Sequence, residues 1–142
     1  MPRPQKVRKI LCPPAMSGFS PYGIQATDSE PIIMTFEEYE SIKLVNYEKM
    51  PQEEAALLMQ ISRPTFTRIY NRALNIIGIA FVEARSIQIE GGNCQFDKEW
   101  FRCTRCFKLI EGLENHSKCT DCPHFEKNEL TRLNPDIKDR IA

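Results

Sequence analysis

Residues 52–73 read QEEAALLMQISRPTFTRIYNRA, and the placing of their caps and apolar residues decides how the chain is organised. Ser62 is a good helix cap, because its hydroxyl accepts from a backbone donor that has no partner inside the helix. Pro64 is tolerated behind it, since it falls in the first turn. Phe66, Ile69, Tyr70, Ala73, Leu74 and Ile77 then recur at steps of three and four residues and predict one apolar helix face. Phe66, Ile69 and Leu74 are expected in the core. The helix is expected to continue past Gly78 to about Ala84.

Upstream, Pro51 suits the first position of a preceding helix, and Ala55, Ala56 and Met59 are small or flexible enough for a close helix contact. Two helices joined across a short turn are therefore expected. Earlier still, Thr35 and Glu38 form a capping-box signature that predicts a first helix over about Phe36–Tyr47, with Phe36, Tyr39, Ile42 and Val45 on its packed face. After the long helix, SIQIEGG at 86–92 alternates like a short strand stopped by Gly91 and Gly92.

Residues 1–31 carry six prolines and two glycines, too many breakers for regular helix, and predict an extended arm. Phe19, Tyr22 and Ile24 are its candidate anchors on the core. Together these readings predict a mainly α fold in four parts: an arm (1–31), a helix-turn-helix domain (32–93), a cysteine-rich module (94–127) and a polar tail (128–142).

The formal net charge is zero, with 19 basic and 19 acidic residues, but the charges are unevenly placed. Arg3, Lys6, Arg8 and Lys9 make the first nine residues purely basic. Eight acidic residues from Asp28 to Glu54 face only Lys43 and Lys49, and the next stretch holds Arg63, Arg68, Arg72 and Arg85 against Glu83. Positive charge thus sits where a polyanion would need it, while overall neutrality implies modest non-specific affinity.

A helix set on a brace in this way can enter the major groove of double-stranded DNA. On its polar face Arg68 can donate twice to guanine, Asn71 can pair with adenine, and Thr65 can meet a thymine methyl or a base-edge acceptor. Arg63, Pro64, Thr67 and Arg72 lie beside them, with Arg63, Thr67 and Arg72 placed for phosphate. Backbone donors near Gln52 offer a further phosphate site. Arg3 and Arg8 in the arm are candidates for a minor groove. The same polar face is also what an ordinary solvated helical hairpin presents, so a protein-interaction adaptor remains an alternative. One short reading helix covers few base pairs, and pairing into a homodimer is the expected remedy.

CTRC at 103–106 and CTDC at 119–122 place Cys103, Cys106, Cys119 and Cys122 as two C-x2-C pairs, twelve residues apart. A two-residue spacer lets both thiolates of a pair turn to one point, and four soft ligands suit tetrahedral zinc. Iron or an iron-sulfur cluster is the alternative occupant, which would make the protein an iron- or redox-responsive sensor. His116 and His124 are not needed to close such a shell. No apolar run approaches the length of a membrane span and none forms a signal sequence. The expected compartment is therefore the cytoplasm, where paired cysteines favour metal over disulfides. A closed four-thiolate shell leaves no position for an activated water, and no nucleophile and base pair is signalled. Catalysis is not expected.

MPRPQKVRKI at the start, FSPYG at 19–23, MTFEEYESIKL at 34–44, QEEAALLM at 52–59, SRPTFTRIYNRA at 62–73 and IEGGN at 89–93 together resemble the domain-of-unknown-function 134 family, proteins of bacteria and archaea predicted to bind DNA. The resemblance runs in register over about residues 1–93. It implies a helix-turn-helix like region four of bacterial sigma factors and a role in transcription, with contacts to the transcription machinery or another protein through the cysteine module. Two positions depart from the family pattern. Gln60 stands where the turn usually has glycine, and Cys94 stands where an aromatic residue usually follows GGN. The cysteine tail itself resembles a zinc-ribbon knuckle pair, with Phe107 and Pro123 where glycine often follows the second cysteine.

Overall fold

A computed structural model of the chain describes residues 7–25, 29–96, 98–104, 107–112 and 130–134. Helix α1, Phe36–Ile42, starts on the full capping box: Thr35 Oγ1 accepts from the Glu38 amide at 3.3 Å and a Glu38 carboxylate oxygen accepts from the Thr35 amide at 3.1 Å. A π-helical turn, Lys43–Tyr47, extends it, so the helical span matches that expected from sequence. Helix α2 covers Gln52–Leu58, with Pro51 just outside it in extended conformation. Helix α3 covers Arg63–Glu83, capped by Ser62 and ended by Ala84, which turns left-handed.

The expectation of a mainly α fold is overturned. Among the described residues eight short strands form three sheets, and the architecture is mixed α/β. Strand β1, Arg8–Ile10, pairs in parallel with β5, Cys94–Phe96. Strands β2, Gly18–Phe19, and β3, Ile32–Met34, flank β4, Ile87–Ile89, antiparallel and parallel respectively. A third sheet joins β6, Trp100–Cys103, to β7, Leu109–Glu111, and β8, Leu130–Arg132. Strands of two to four residues are too short for period-two alternation to register in sequence, and their partners lie up to 86 positions away along the chain.

Packing follows from this pairing. Ile10, Met34, Phe36, Ala73, Ile76, Ile89, Cys94 and Phe96 form one apolar cluster where α1 and α3 cover the strands. Leu44, Ala55, Ala56, Met59, Ile61, Phe66 and Ile69 form a second beneath α2 and α3. The arm is anchored on the core through a different residue from those expected: Ile10 in β1 is buried, whereas Phe19, Tyr22 and Ile24 are exposed. Gly18 sits so close to β4 that an added Cβ would lie 2.0 Å from the Ile87 carbonyl oxygen. Two other apolar expectations fail, because Leu74 and Ile77 are exposed while Ile76 and Ala80 take the inward positions. No described helix is long and apolar enough to cross a membrane.

Glu40 in α1 is buried, one of its oxygens has no hydrogen-bond partner, and Lys43 Nζ is 3.8 Å from the other. Burial pushes its carboxyl above the ordinary 4.5, with Lys43 opposing the shift. Because the folded chain holds this proton at a pH where the unfolded chain has lost it, the group favours folding as pH falls from neutral toward its raised pKa. Glu40→Gln is expected to raise stability at neutral pH by on the order of 1 kcal/mol and to flatten the pH dependence above 4.5, read from denaturant midpoints across that range.

Candidate nucleic-acid interface

The first turn of α1 organises the elements around the helical pair. Glu37 accepts from the Asn93 amide at 3.1 Å and lies 3.1 Å from Arg8 Nε, an ion pair without the alignment of a hydrogen bond. The Phe36 amide donates to the Gly91 carbonyl, and a Cβ on Gly92 would press on Thr35 and the Glu37 carboxylate. A Glu38 oxygen lies 3.7 Å from Arg72 in α3. Burial raises the Glu38 carboxyl above its ordinary range, offset by the Thr35 amide and Arg72. Glu37 and Glu38 also occupy the positive end of α1, where negative charge is favoured.

Helices α2 and α3 are joined by four residues, Met59 to Ser62. Met59 and Ile61 turn inward to the core, and between them Gln60 adopts φ = +58°. The Gln60 amide donates to the Leu57 carbonyl and the Ile61 amide to Ala56, which satisfies carbonyls at the end of α2. From the arm, the Lys9 amide donates to the Met59 carbonyl at 3.1 Å. The arm strand thus seats directly against the turn that aims α3.

Thr65, Arg68, Asn71 and Arg72 come together on the outer side of the first half of α3. Arg68 and Asn71 are exposed and make no hydrogen bond or ion pair among the described residues. Ser62 caps the helix and donates to Thr65 Oγ1 at 2.9 Å. Pro64 lies in the first turn, exposed. Three other sequence-predicted contacts have partners within the protein. Thr67 donates to Gln52 at 2.6 Å, Arg63 pairs with Glu53 at 2.8 Å, and Arg72 reaches Glu38. The first two link α2 to α3. Glu53 and Glu54 place negative charge in the first turn of α2, which works against a phosphate near Gln52. Arg8 is taken up by the core and is not presented to a groove. Arg3 lies outside the described residues.

Of the four candidate metal ligands, Cys106, Cys119 and Cys122 lie outside the described residues, as do His116 and His124. Among the described residues no group of three His, Cys, Asp or Glu side chains converges. Cys103 is buried at the end of β6 beside Phe101 and Ile110. Around it the backbone reverses: the Phe107 amide donates to the Cys103 carbonyl, the Cys103 amide donates to Lys108, and Phe107 adopts φ = +61°. This left-handed residue occupies the position where glycine often follows a metal-binding cysteine pair. Cys94 is fully buried in β5 and Cys12 is part-buried in the arm.

Sequence reasoning missed Arg102, whose signal was only its place beside Cys103. Its buried guanidinium donates to the carbonyls of Pro14, Ala15 and Met16 in the arm and to that of Phe107. Burial lowers its pKa from the ordinary arginine value. One side chain therefore ties the cysteine-bearing hairpin to the arm.

The chain matches the family described as protein of unknown function DUF134 over residues 1–97. It is 38% identical over 124 residues to a UPF0251 protein of Chloroherpeton thalassium, covering 86% of this chain and 82% of that one. A UPF0251 protein of Halothermothrix orenii is 36% identical over 135 residues, covering 91% and 99%. One from Methanothermobacter thermautotrophicus is 39% identical over 124 residues, covering 86% and 64%. No solved structure matches. The chain belongs to the DUF134 family.

The left-handed backbone at Gln60 carries a steric cost that glycine lacks, partly offset by glycine's greater freedom in the unfolded chain. Gln60→Gly is therefore expected to stabilise the protein by up to about 1 kcal/mol, measured as a higher urea midpoint with unchanged slope. Destabilisation would show that the Gln60 side chain contributes more than its backbone costs.

Proposed function

We propose that this member of the DUF134 family is a sequence-specific double-stranded DNA-binding protein that regulates transcription in the cytoplasm, with α2 and α3 as its helix-turn-helix. One observation carries the reading. Arg68 and Asn71, the two residue types best suited to guanine and adenine edges, stand exposed, with no partner among the described residues, on a helix whose opposite face is buried. Their neighbours Arg63, Thr67 and Arg72 have partners within the protein.

Placed in the major groove, α3 would direct Arg68 to guanine, Asn71 to adenine and Thr65 to a neighbouring base. The exposed pair between Arg63 and Glu53 costs little to open, so Arg63 can turn to a phosphate, and Arg72, itself largely exposed, can do the same.

The cysteine module supports a zinc reading. Cys103, Cys106, Cys119 and Cys122 would hold the ion, and the Phe107 amide's bond to the Cys103 carbonyl, with the left-handed Phe107, supports that use. Zinc in such a shell supplies structure and no open position for chemistry. The module then offers a second surface for the transcription machinery.

Selection of bound sequences from a random duplex pool is expected to return a defined motif. Arg68→Ala is expected to lose preference at one position of it, a discrimination of about 1–3 kcal/mol, while the melting temperature stays unchanged. Equal affinity of the parent protein for selected and random duplexes would sink the reading. Elemental analysis after anaerobic purification is expected to give one zinc per chain and no iron; stoichiometric iron would instead point to a sensor.

A further inference from the structure

A cavity of about 250 Å³ lies where the arm, α1 with its π-helical turn, and the end of α2 meet. Leu11, Leu44, Leu57 and Leu58 give it apolar walls, and Met59 and Gln60 of the α2–α3 turn also line it. Its polar lining centres on Glu40, whose side chain is 3% exposed, with Lys43 three residues on along the helix. Lys9 and Glu48 add one charge of each sign. At roughly 30 Å³ for each water in the liquid, the volume is that of about eight waters. A guest of this size matches a single small amino acid and falls short of a drug-sized ligand, whose sites begin at about 300 Å³.

The polar groups specify the guest further. One Glu40 oxygen has no hydrogen-bond partner among the described residues, and the other lies 3.8 Å from Lys43 Nζ, beyond the about 2.7–2.9 Å of a charge-assisted hydrogen bond. An acceptor and a donor thus stand side by side, each with bonding capacity to spare. Nearly all buried polar side chains in folded proteins have a partner, and a guest is one way for this oxygen to acquire one. Burial pushes the Glu40 carboxyl up, with Lys43 opposing, so a cation set against it would restore the charged form that burial disfavours. A matching guest carries an ammonium and a carboxylate close together and an apolar remainder. An α-amino acid holds both charges on one carbon. A simple amine would leave Lys43 unanswered, and a simple carboxylate would face Glu40.

We propose that this cavity binds a small aliphatic α-amino acid, with its ammonium on Glu40, its carboxylate on Lys43 and its side chain against Leu44, Leu57 and Leu58. Bound there, the guest touches the arm, α1 and the turn that leads into α3 at once. No described residue of α3 lines the cavity, so the inference does not depend on the DNA reading.

Isothermal titration calorimetry of the full chain with L-leucine, L-isoleucine and L-valine tests it. At least one is expected to bind saturably, one per chain. Isoamylamine, which is leucine without its carboxylate, and isocaproate, which is leucine without its ammonium, are each expected to bind at least about 10-fold more weakly than the tightest of the three. Glu40→Gln and Lys43→Met are each expected to weaken that amino acid at least about 10-fold. The glutamine variant is the one expected to be more stable than the parent at neutral pH, so lost binding with an unchanged circular dichroism spectrum separates the site from the fold. Val82→Ser, at an exposed position of α3 outside the cavity, is expected to leave affinity unchanged. No saturable binding of any of the three amino acids overturns the proposal. Equal binding of the amine or the carboxylate overturns it too, as does parental affinity in either the Glu40 or the Lys43 variant.

Discussion

The buried carboxylates at the start of α1 are the constraint on which the remaining geometry depends. Glu37 and Glu38 are adjacent, yet they reach in different directions: one to the arm through Arg8 and to the Gly91–Asn93 loop, the other to its own cap and to α3 through Arg72. Two carboxylates leave water there because a helix N-terminus, two backbone amides and two guanidinium groups receive them. Gly92 has no side chain to block that approach. The motifs MTFEEYE and IEGGN, far apart in sequence, are thus two halves of one junction. That junction sets where α3 lies relative to the strands.

This junction also explains how a neutral chain can present a basic helix face. Of the cations in the arm and α3, Arg8 is spent internally and Arg72 is shared with Glu38. Arg63 answers Glu53 across the helical pair. Each interaction links two elements, and among the described residues it leaves less of this charge for a polyanion. If the proposed DNA reading holds, such a face would bind random DNA weakly, because non-specific affinity comes from neutralised phosphates.

What was legible in the sequence was local. The caps at Thr35 and Ser62 and the breaks at Pro51 and Ala84 are written in neighbouring residues, and the helices follow them closely. The sheets were not legible, because RKI, IIM and CQF are three-residue strands whose pairing is decided by partners far along the chain. Arg8 was assigned outward on charge alone, while its position between Glu37 and β5 comes from tertiary packing. Leu74 and Ile77 fit the helical period but fall on a side of α3 that the other described elements leave exposed. Periodicity identifies apolar rows without saying which of them the same chain will bury.

Arg102 shows how the cysteine-bearing hairpin can act on the rest of the molecule. A buried guanidinium satisfied by four main-chain carbonyls, with no carboxylate among them, holds those carbonyls in one arrangement. Three belong to the arm, which continues into β2 and meets β4 where the Ile89 amide donates to Ser17. The fourth is Phe107, at the reversal that follows Cys103. The same arm, at Lys9, caps the end of α2 beside Gln60. The geometry of the Cys103 turn is therefore linked by hydrogen bonds and by the backbone from Lys9 to Met16 to the turn that aims α3.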